Sequence, residues 1–300
     1  MKLYLILIFV NFVSIKVVFA AACCGGGSAI PSLITTDDRS QFSSSLSVGE
    51  VVVDSVDGAG IWFKNLQHLQ TRTMKFDYAY VLDNDIQFGV TIPFVTKTIR
   101  DQTFSGLSDV QANLGYEYLP ELDYNLYKPR AFVYSGIIFP TGQSKYTSSH
   151  AGLDSRGRQL WGVAVGHVLS KIVGRYDFLQ MIDLHHNFDQ TLKSNQQANY
   201  QIKHEFGGQV NFGVGYSRLS HRLGLQLAWF YEGRFLVKNQ SINDQGYIEK
   251  YGQFLVSYSY MLSDLSSMAL SYADQTLIGE PQNTSLSRSL ALQYTQRWTR

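Results

Sequence analysis

Ser287-Arg288-Ser289-Leu290-Ala291-Leu292-Gln293-Tyr294-Thr295-Gln296-Arg297-Trp298 is a strand whose two faces want different solvents. Successive side chains of a strand point to opposite sides. Leu290, Leu292, Tyr294 and Trp298 therefore share one face, and Ser289, Ala291, Gln293, Thr295 and Arg297 share the other. An apolar face that ends on an aromatic beside the chain terminus suits a strand whose outer side lies in lipid. No backbone N–H or C=O can be left without a partner in hydrocarbon, so a lipid-embedded sheet must close on itself. The last strand then has to pair with the first.

Working back from that end, alternating segments fall near residues 41–53, 69–82, 86–99, 107–118, 130–140, 158–169, 174–188, 199–219, 222–236, 249–262, 266–276 and 287–298, twelve strands in all. The connections at 83–84, 170–173, 220–221 and 263–264 are short, and 119–129, with Pro120 and Pro129, is a longer exception. The intervening breaks, 54–68, 100–106, 141–157, 189–198, 237–248 and 277–286, are longer and polar. Membrane barrels of this type carry short periplasmic turns and longer outer loops. An even strand number brings both termini to the periplasmic side.

The faces behave as lipid and lumen require. Met74, Phe76, Tyr78, Tyr80 and Leu82 alternate with Lys75, Asp77 and Ala79, and Leu223, Leu225, Leu227, Trp229 and Tyr231 alternate with Gln226, Glu232 and Arg234. Lys or Arg on the lipid face near the midplane costs about 2–4 kcal/mol, so the charged set is the interior. Tyr116, Tyr118, Trp161, Tyr176, Tyr231, Tyr260 and Trp298, near segment ends, suit the interfacial girdles. Gln180 on an apolar face and Pro93 inside a strand predict a bulge or kink at each. The expected fold is an all-β, transmembrane, antiparallel up-and-down barrel of about 12 strands over residues 41–300. A secreted β-sandwich is the soluble competitor, with shorter strands and fewer aromatics on the exposed face.

With 14% aromatic and 16% charged residues, 25 Gly and only 6 Pro, the composition favours many strands over helices. The 25 basic residues nearly balance the 24 acidic ones, which gives no support for nucleic-acid binding. Residues 1–22 have the form of a secretory signal: an early Lys2, an apolar run over 3–10 resuming at Phe12, and small Ala20, Ala21 and Ala22. Residues 23–40 follow as an N-terminal extension or a small plug in the barrel mouth. They hold both cysteines. Adjacent cysteines rarely bond each other, and two ligands alone make a poor zinc site. Cys23 is a candidate for lipidation, although Ala20 stands where such signals usually have Leu.

The interior is where convergent polar groups are predicted. Lys75, Asp77, Gln111, Asn113, Asp183, His185, Glu232, Arg234, Gln253, Gln293 and Arg297 fall on the inward phase as candidate pore lining. A twelve-strand ring is wider than the eight-strand barrels that side chains fill and narrower than open porins. A narrow passage and an interior closed by ion pairs both stay open. Phe132, Leu179, Met181 and Phe230 are candidates for an apolar entry. His185 and His186 near Asp183 and Asp189, and Ser148-Ser149-His150 near Asp154, raise a hydrolytic reading. It needs a nucleophile within hydrogen-bond reach of its base, and no local serine arrangement of that kind stands beside either histidine of the pair. The seven histidines show no metal-ligand spacing, the Gly-rich stretch 24–28 precedes no helix and lacks a lysine, and no cofactor is expected.

Two short elements, Ser105-Gly106-Leu107-Ser108-Asp109-Val110 and Phe139-Pro140-Thr141-Gly142, resemble the outer-membrane proteins grouped with the meta-pathway of phenol degradation, distant relatives of the long-chain fatty acid transporter barrels. In that family a Gly-Leu-Gly-Asp element opens a strand and a Pro-Thr-Gly ends the next at the outer rim; Ser108 departs from the pattern. The resemblance implies a bacterial outer-membrane barrel, not an enzyme, that passes small hydrophobic molecules. Its motif positions here are Gly106, Leu107, Asp109, Pro140, Thr141 and Gly142. Their architectural reading is that Gly106 and Gly142 relax the backbone at a strand end and Pro140 stops the ladder. The expectation is a passive channel for small solutes, hydrophobic or aromatic ones among them. A closed structural or surface-interaction barrel and a membrane-embedded lipid hydrolase are the other readings. Expected partners are outer-membrane lipid, the barrel-assembly machinery through the C-terminal strand, and a small-molecule solute.

Overall fold

The structure is a computed structural model that describes residues 32–64, 69–83, 85–121, 125–150, 154–193, 199–239 and 243–299, with Lys64 described by its backbone only. Its strands are β1 (Asp38–Val56), β2 (Trp62–Lys64), β3 (Gln70–Val81), β4 (Ile86–Ile99), β5 (Gln102–Leu107), β6 (Val110–Leu119), β7 (Arg130–Phe139), β8 (Gly162–Val173) and β9 (Tyr176–Asn187). They continue as β10 (Gln190–Lys193), β11 (Asn199–His204), β12 (Gly207–Arg218), β13 (His221–Glu232), β14 (Phe235–Lys238), β15 (Asn243–Asp244), β16 (Glu249–Ser263), β17 (Ser266–Asp274) and β18 (Thr284–Thr299). Twelve of them, β1, β3, β4, β6, β7, β8, β9, β12, β13, β16, β17 and β18, form one antiparallel ring in that order. β18 closes it on β1, paired from Asp38 opposite Thr299 to Val56 opposite Thr284, in unbroken register from Ser40 opposite Trp298 to Val51 opposite Ser287 and with register shifts beyond each end of that stretch. Each of the twelve ring strands is thereby paired on both sides, as a lipid-embedded sheet requires.

The outer face is a belt of exposed apolar side chains that water would not tolerate in such density. At the closing seam Leu46, Leu292 and Leu270 stand side by side across three strands, 52%, 46% and 47% exposed. One position along, Ala291 is buried, and Thr295 and Arg297 on the same inward phase are buried too. Both chain ends of the ring lie at the end where the connections are short.

Segment boundaries differ from the sequence expectation in three ways. β1 starts at Asp38, and β8 runs to Val173, so the turn expected at 170–173 falls at Gly174 and Arg175, where Gly174 takes φ +60°. A left-handed turn residue is cheapest as glycine. No bulge accompanies Gln180: its ladders to Leu169 and Phe212 are unbroken. The amide lies four residues from the turn, toward the interface, where a polar group on the lipid side costs little. At Pro93 the expected irregularity is present. Pro93 can donate no ladder bond, and beside it the partner chain breaks between β5 and β6, one residue longer than the stretch of β4 it faces.

The third difference is architectural. The segments expected at 199–219 and 222–236 are each two strands, and β10, β11, β14 and β15 form a separate four-stranded sheet beyond the ring. β10, β11 and β14 continue β9, β12 and β13 in the same pairing register. All three bend at one level, around 188–189, 205–206 and 233–234, where the Glu205 amide donates to Arg234 O (3.0 Å) and the Gly233 amide to Phe206 O (3.0 Å). The bend inverts the inward phase on each strand. Glu232 and Gly207 face inward below it, and His204, Ile202, Leu192 and Val237 are the buried set above it. Arg234, expected on the inward phase, is therefore turned outward beyond the end of β13, 51% exposed and 2.8 Å from Glu205.

Candidate functional site

The lumen is filled from its two ends by chain that does not belong to the wall. At the short-turn end, residues 32–35 run inside the ring, all four buried. The Ile34 amide donates to Gln87 Oε1 (2.6 Å), Gln87 Nε2 donates to Ile34 O (3.2 Å), and Asn113 Nδ2 donates to Ser32 O (3.0 Å). Leu33 packs with Phe132, Tyr134, Val168 and Met181, and Ile34 with Ala79 and Val81. Gly89 and Gly115 make the room: a Cβ on Gly89 would collide with Ser32 O, and one on Gly115 would lie 2.7 Å from Leu33 Cδ2. Where the segment leaves the lumen, Arg130 bonds Glu117 (2.7 Å) and Asp37 (2.9 Å).

At the long-loop end, the connection between β7 and β8, described over 140–150 and 154–161, turns into the mouth. The two motif elements are its anchor. Asp109 accepts from the amides of Gly142 (2.8 Å), Arg158 (2.6 Å) and Gln159 (3.3 Å). The Thr141 hydroxyl donates to Ser108 O (2.6 Å) and accepts from the Val110 amide (2.9 Å), and Ser108 bonds Arg156 O. A Cβ on Gly142 or Gly157 would crowd the Asp109 carboxylate, at 2.8 and 2.6 Å, and one on Gly106 would meet the Arg156 guanidinium at 2.7 Å. Leu107 and Pro140 flank the anchor at the ends of β5 and β7. The far side of the loop rests on the outer sheet, where Leu160 is buried with Leu192 and Ile202, and Tyr146 stacks on Phe235 at 6.1 Å.

Between the two obstructions lies a cavity of about 330 Å³, lined on one side by Pro93, Ala112, Gly136, Ile138 and Ala164 and on the other by polar groups. Tyr134 donates to Asp183 (2.5 Å) and His185 bridges Asp183 and Glu232, 3.1 Å from each. His204 Nε2 lies 3.2 Å from Glu232, with its other ring nitrogen on Asn187 (3.2 Å), and Arg158 reaches Glu232 at 2.8 Å. A Cβ on Gly207 would strike His185, so that position is kept clear for the network.

Of the residues expected to line the pore, Gln111, Asn113, Asp183, His185 and Glu232 meet at this cavity. Lys75 and Asp77 pair with each other at 3.2 Å on the inner wall, with Thr91 donating to Asp77 (2.6 Å). Gln253 is buried, Gln293 donates to Thr295 (3.3 Å), and Arg297 stands 3.7 Å from Asp38. Cys23 lies outside the described residues. Arg158, His204, Tyr134 and Gln87 were not anticipated. Arg158 sits in a loop without periodicity, His204 above the phase inversion, and Tyr134 and Gln87 on the inward phase, where they were legible.

The Ser148, His150 and Asp154 group is an internal brace of the outer loop. The Ser148 hydroxyl bonds Asp154, and His150 Nδ1 is 3.5 Å from the same carboxylate. The hydroxyl gives its proton to the acid and not to the imidazole, the wrong order for a nucleophile. Burial pushes the Asp154 carboxyl up, but bonds from Ser148, the Ser149 amide and His150 outweigh it and hold its pKa below the ordinary aspartate value. Among the described residues no group of three or more His, Cys, Asp or Glu is arranged to hold a metal ion.

Asp109→Asn tests the anchor. An amide turned toward three N–H donors loses charge-assisted bonds worth about 1.5–3 kcal/mol each. The loop should detach and be cut by trypsin after Arg156 or Arg158 in proteoliposomes that leave the wild type intact, and equal resistance would remove the anchoring role.

No family model matches the chain, and no curated protein matches it. Among solved structures, the chain is similar to an outer membrane channel from Pseudomonas putida F1, at 13% identity and a TM-score of 0.67, over 91% of this chain and 100% of that one. It is also similar to a deltaS2 mutant of the TodX monoaromatic hydrocarbon channel, at 9% identity and a TM-score of 0.50, over 89% of this chain and 93% of that one. At such identities the likeness establishes the fold.

Proposed function

We propose that the chain is a passive channel of the bacterial outer membrane for small solutes, neutral aromatic molecules among them, with its short turns and both termini on the periplasmic side. The observation that carries this reading is the cavity of about 330 Å³ inside the ring, lying between two pieces of chain that are not part of its wall. The pieces that narrow the lumen at its two ends are the segment 32–35 and the β7–β8 loop, described over 140–150 and 154–161, each held by a handful of hydrogen bonds and apolar contacts. A structural plug built only for stability would not need the part-apolar and part-polar cavity between the pieces or a polar lumen wall beside it. The two motif elements, the resemblance they carry and the neighbouring hydrocarbon channel support the aromatic part of the proposal and its place beside the meta-pathway group.

The test is swelling of liposomes containing the refolded protein, with glucose and with a neutral aromatic glycoside as osmolytes. Influx above protein-free liposomes is expected for both. No influx of either would overturn the channel reading in favour of a closed barrel acting through its surface, for which the four-stranded outer sheet is the candidate element.

A further inference from the structure

The anchored loop lays a charged bar across the mouth. Its fixed end is Asp109 at the start of β6, and its free end is the Arg158 guanidinium on Glu232 at the end of β13. β6 and β13 are the fourth and ninth strands of the twelve-strand ring, close to diametrically opposed. Anything entering from the long-loop end passes beside this ion pair. Three carboxylates line the cavity it overhangs, Asp109, Asp183 and Glu232, and Arg158 is the only lysine or arginine among the described residues that do so. A fourth carboxylate, Glu249, stands opposite Glu232 in the ladder. Deeper in the wall Lys75 pairs with Asp77, and Arg222 with Asp177 at 2.6 Å. The stretch beside them is lined by the neutral amides of Gln209, Asn211, Gln226 and Gln253. The lining also holds the His185 imidazole, and Lys97 and Arg156 stand at the same loop end, bonded to Ser155 and to Ser105 O and Gln143; within the lining itself three carboxylates outnumber the two basic side chains, Arg158 and His185.

We propose that the outer entrance admits neutral and cationic solutes in preference to anionic ones, and that Arg158 is the residue that sets the size of that preference. The inference rests on the channel reading above. Arg158 faces the passage, 41% exposed, while each carboxylate is held by donors from the wall or the loop backbone. Its removal uncovers the Glu232 carboxylate and leaves the loop's anchor in place, because that anchor is the Arg158 backbone amide on Asp109. Low-dielectric walls focus such a field on the passing ion. A unit charge at ~6 Å in water already shifts a monovalent ion's occupancy roughly threefold.

The experiment is the reversal potential across planar bilayers holding the full-length wild type, R158Q, R158K or E232Q in a KCl gradient, paired with liposome uptake of glucosamine, glucose and gluconate. The wild type should favour K+ over Cl− and take up gluconate slowest. R158Q should raise the K+ to Cl− permeability ratio at least roughly threefold, R158K should leave it near the wild type, and E232Q should lower it. A wild type that favours Cl−, or an R158Q ratio equal to the wild type's, would overturn the inference while glucose influx keeps the channel reading standing. Absence of both current and glucose influx would overturn the two together.

Discussion

Leu292→Arg should lower the unfolding free energy of the barrel by about 2–4 kcal/mol, a large fraction of the margin by which folded chains of any kind exceed their unfolded states. Leu292 faces outward between Leu46 on β1 and Leu270 on β17, so a guanidinium there has apolar neighbours on both flanks and no acid across either ladder. The seam it occupies is the one that closes the ring, formed between the first and last strands and so the contact farthest apart in sequence. Loss there also slows closure, because long-range pairing is the costliest to nucleate. Urea unfolding in phospholipid vesicles, followed by tryptophan fluorescence, measures the effect. Gln293→Arg, one residue along on the inward face, is the control and should cost little, since a lumenal cation keeps water or a carboxylate within reach. Equal losses for the two variants would mean that the faces are assigned the wrong way round.

That pair of neighbouring residues also shows why so much of the fold was legible. Lipid and lumen impose opposite demands on alternate residues, so each strand announces both its existence and its orientation, and the short and long connections announce the ring's polarity. The same signal fails where the strand bends without losing its register. Across 205–206 and 233–234 the chain keeps a plausible alternation while its inward phase inverts, which placed Arg234 in the lumen and kept His204 out of it. Pairing geometry, not periodicity, holds that information. Arg158 was hidden for another reason: its position is fixed by the Asp109 carboxylate from 49 residues away, a contact no local pattern encodes. The motif residues Asp109, Thr141 and Gly142 were visible as strand punctuation. Their joint role as the two halves of one anchor emerges only when β6 and β7 are set side by side.

The inner obstruction is the other feature whose removal should have a large effect. Leu33→Asp combined with Ile34→Asp should expel residues 32–35 from the lumen and raise glucose influx into liposomes several-fold. Leu33 sits among Phe132, Val168 and Met181, and Ile34 against Ala79 and Val81, burial worth about 1.5–3 kcal/mol for each side chain. The double substitution removes that gain and sets an unpaired carboxylate in each apolar niche, at an effective cost of several kcal/mol per charge. Against this stand the three bonds to Gln87 and Asn113, at about 0.5–1.5 kcal/mol each. The balance favours release. The barrel itself should stay folded, because no ladder bond involves residues 32–35 and both amide side chains can turn to water. Limited proteolysis reports the segment directly: the variant should lose its N-terminal residues up to about Asp37 while the wild type keeps them, and a variant that stays protected with unchanged glucose influx would show that residues 32–35 are not what limits passage.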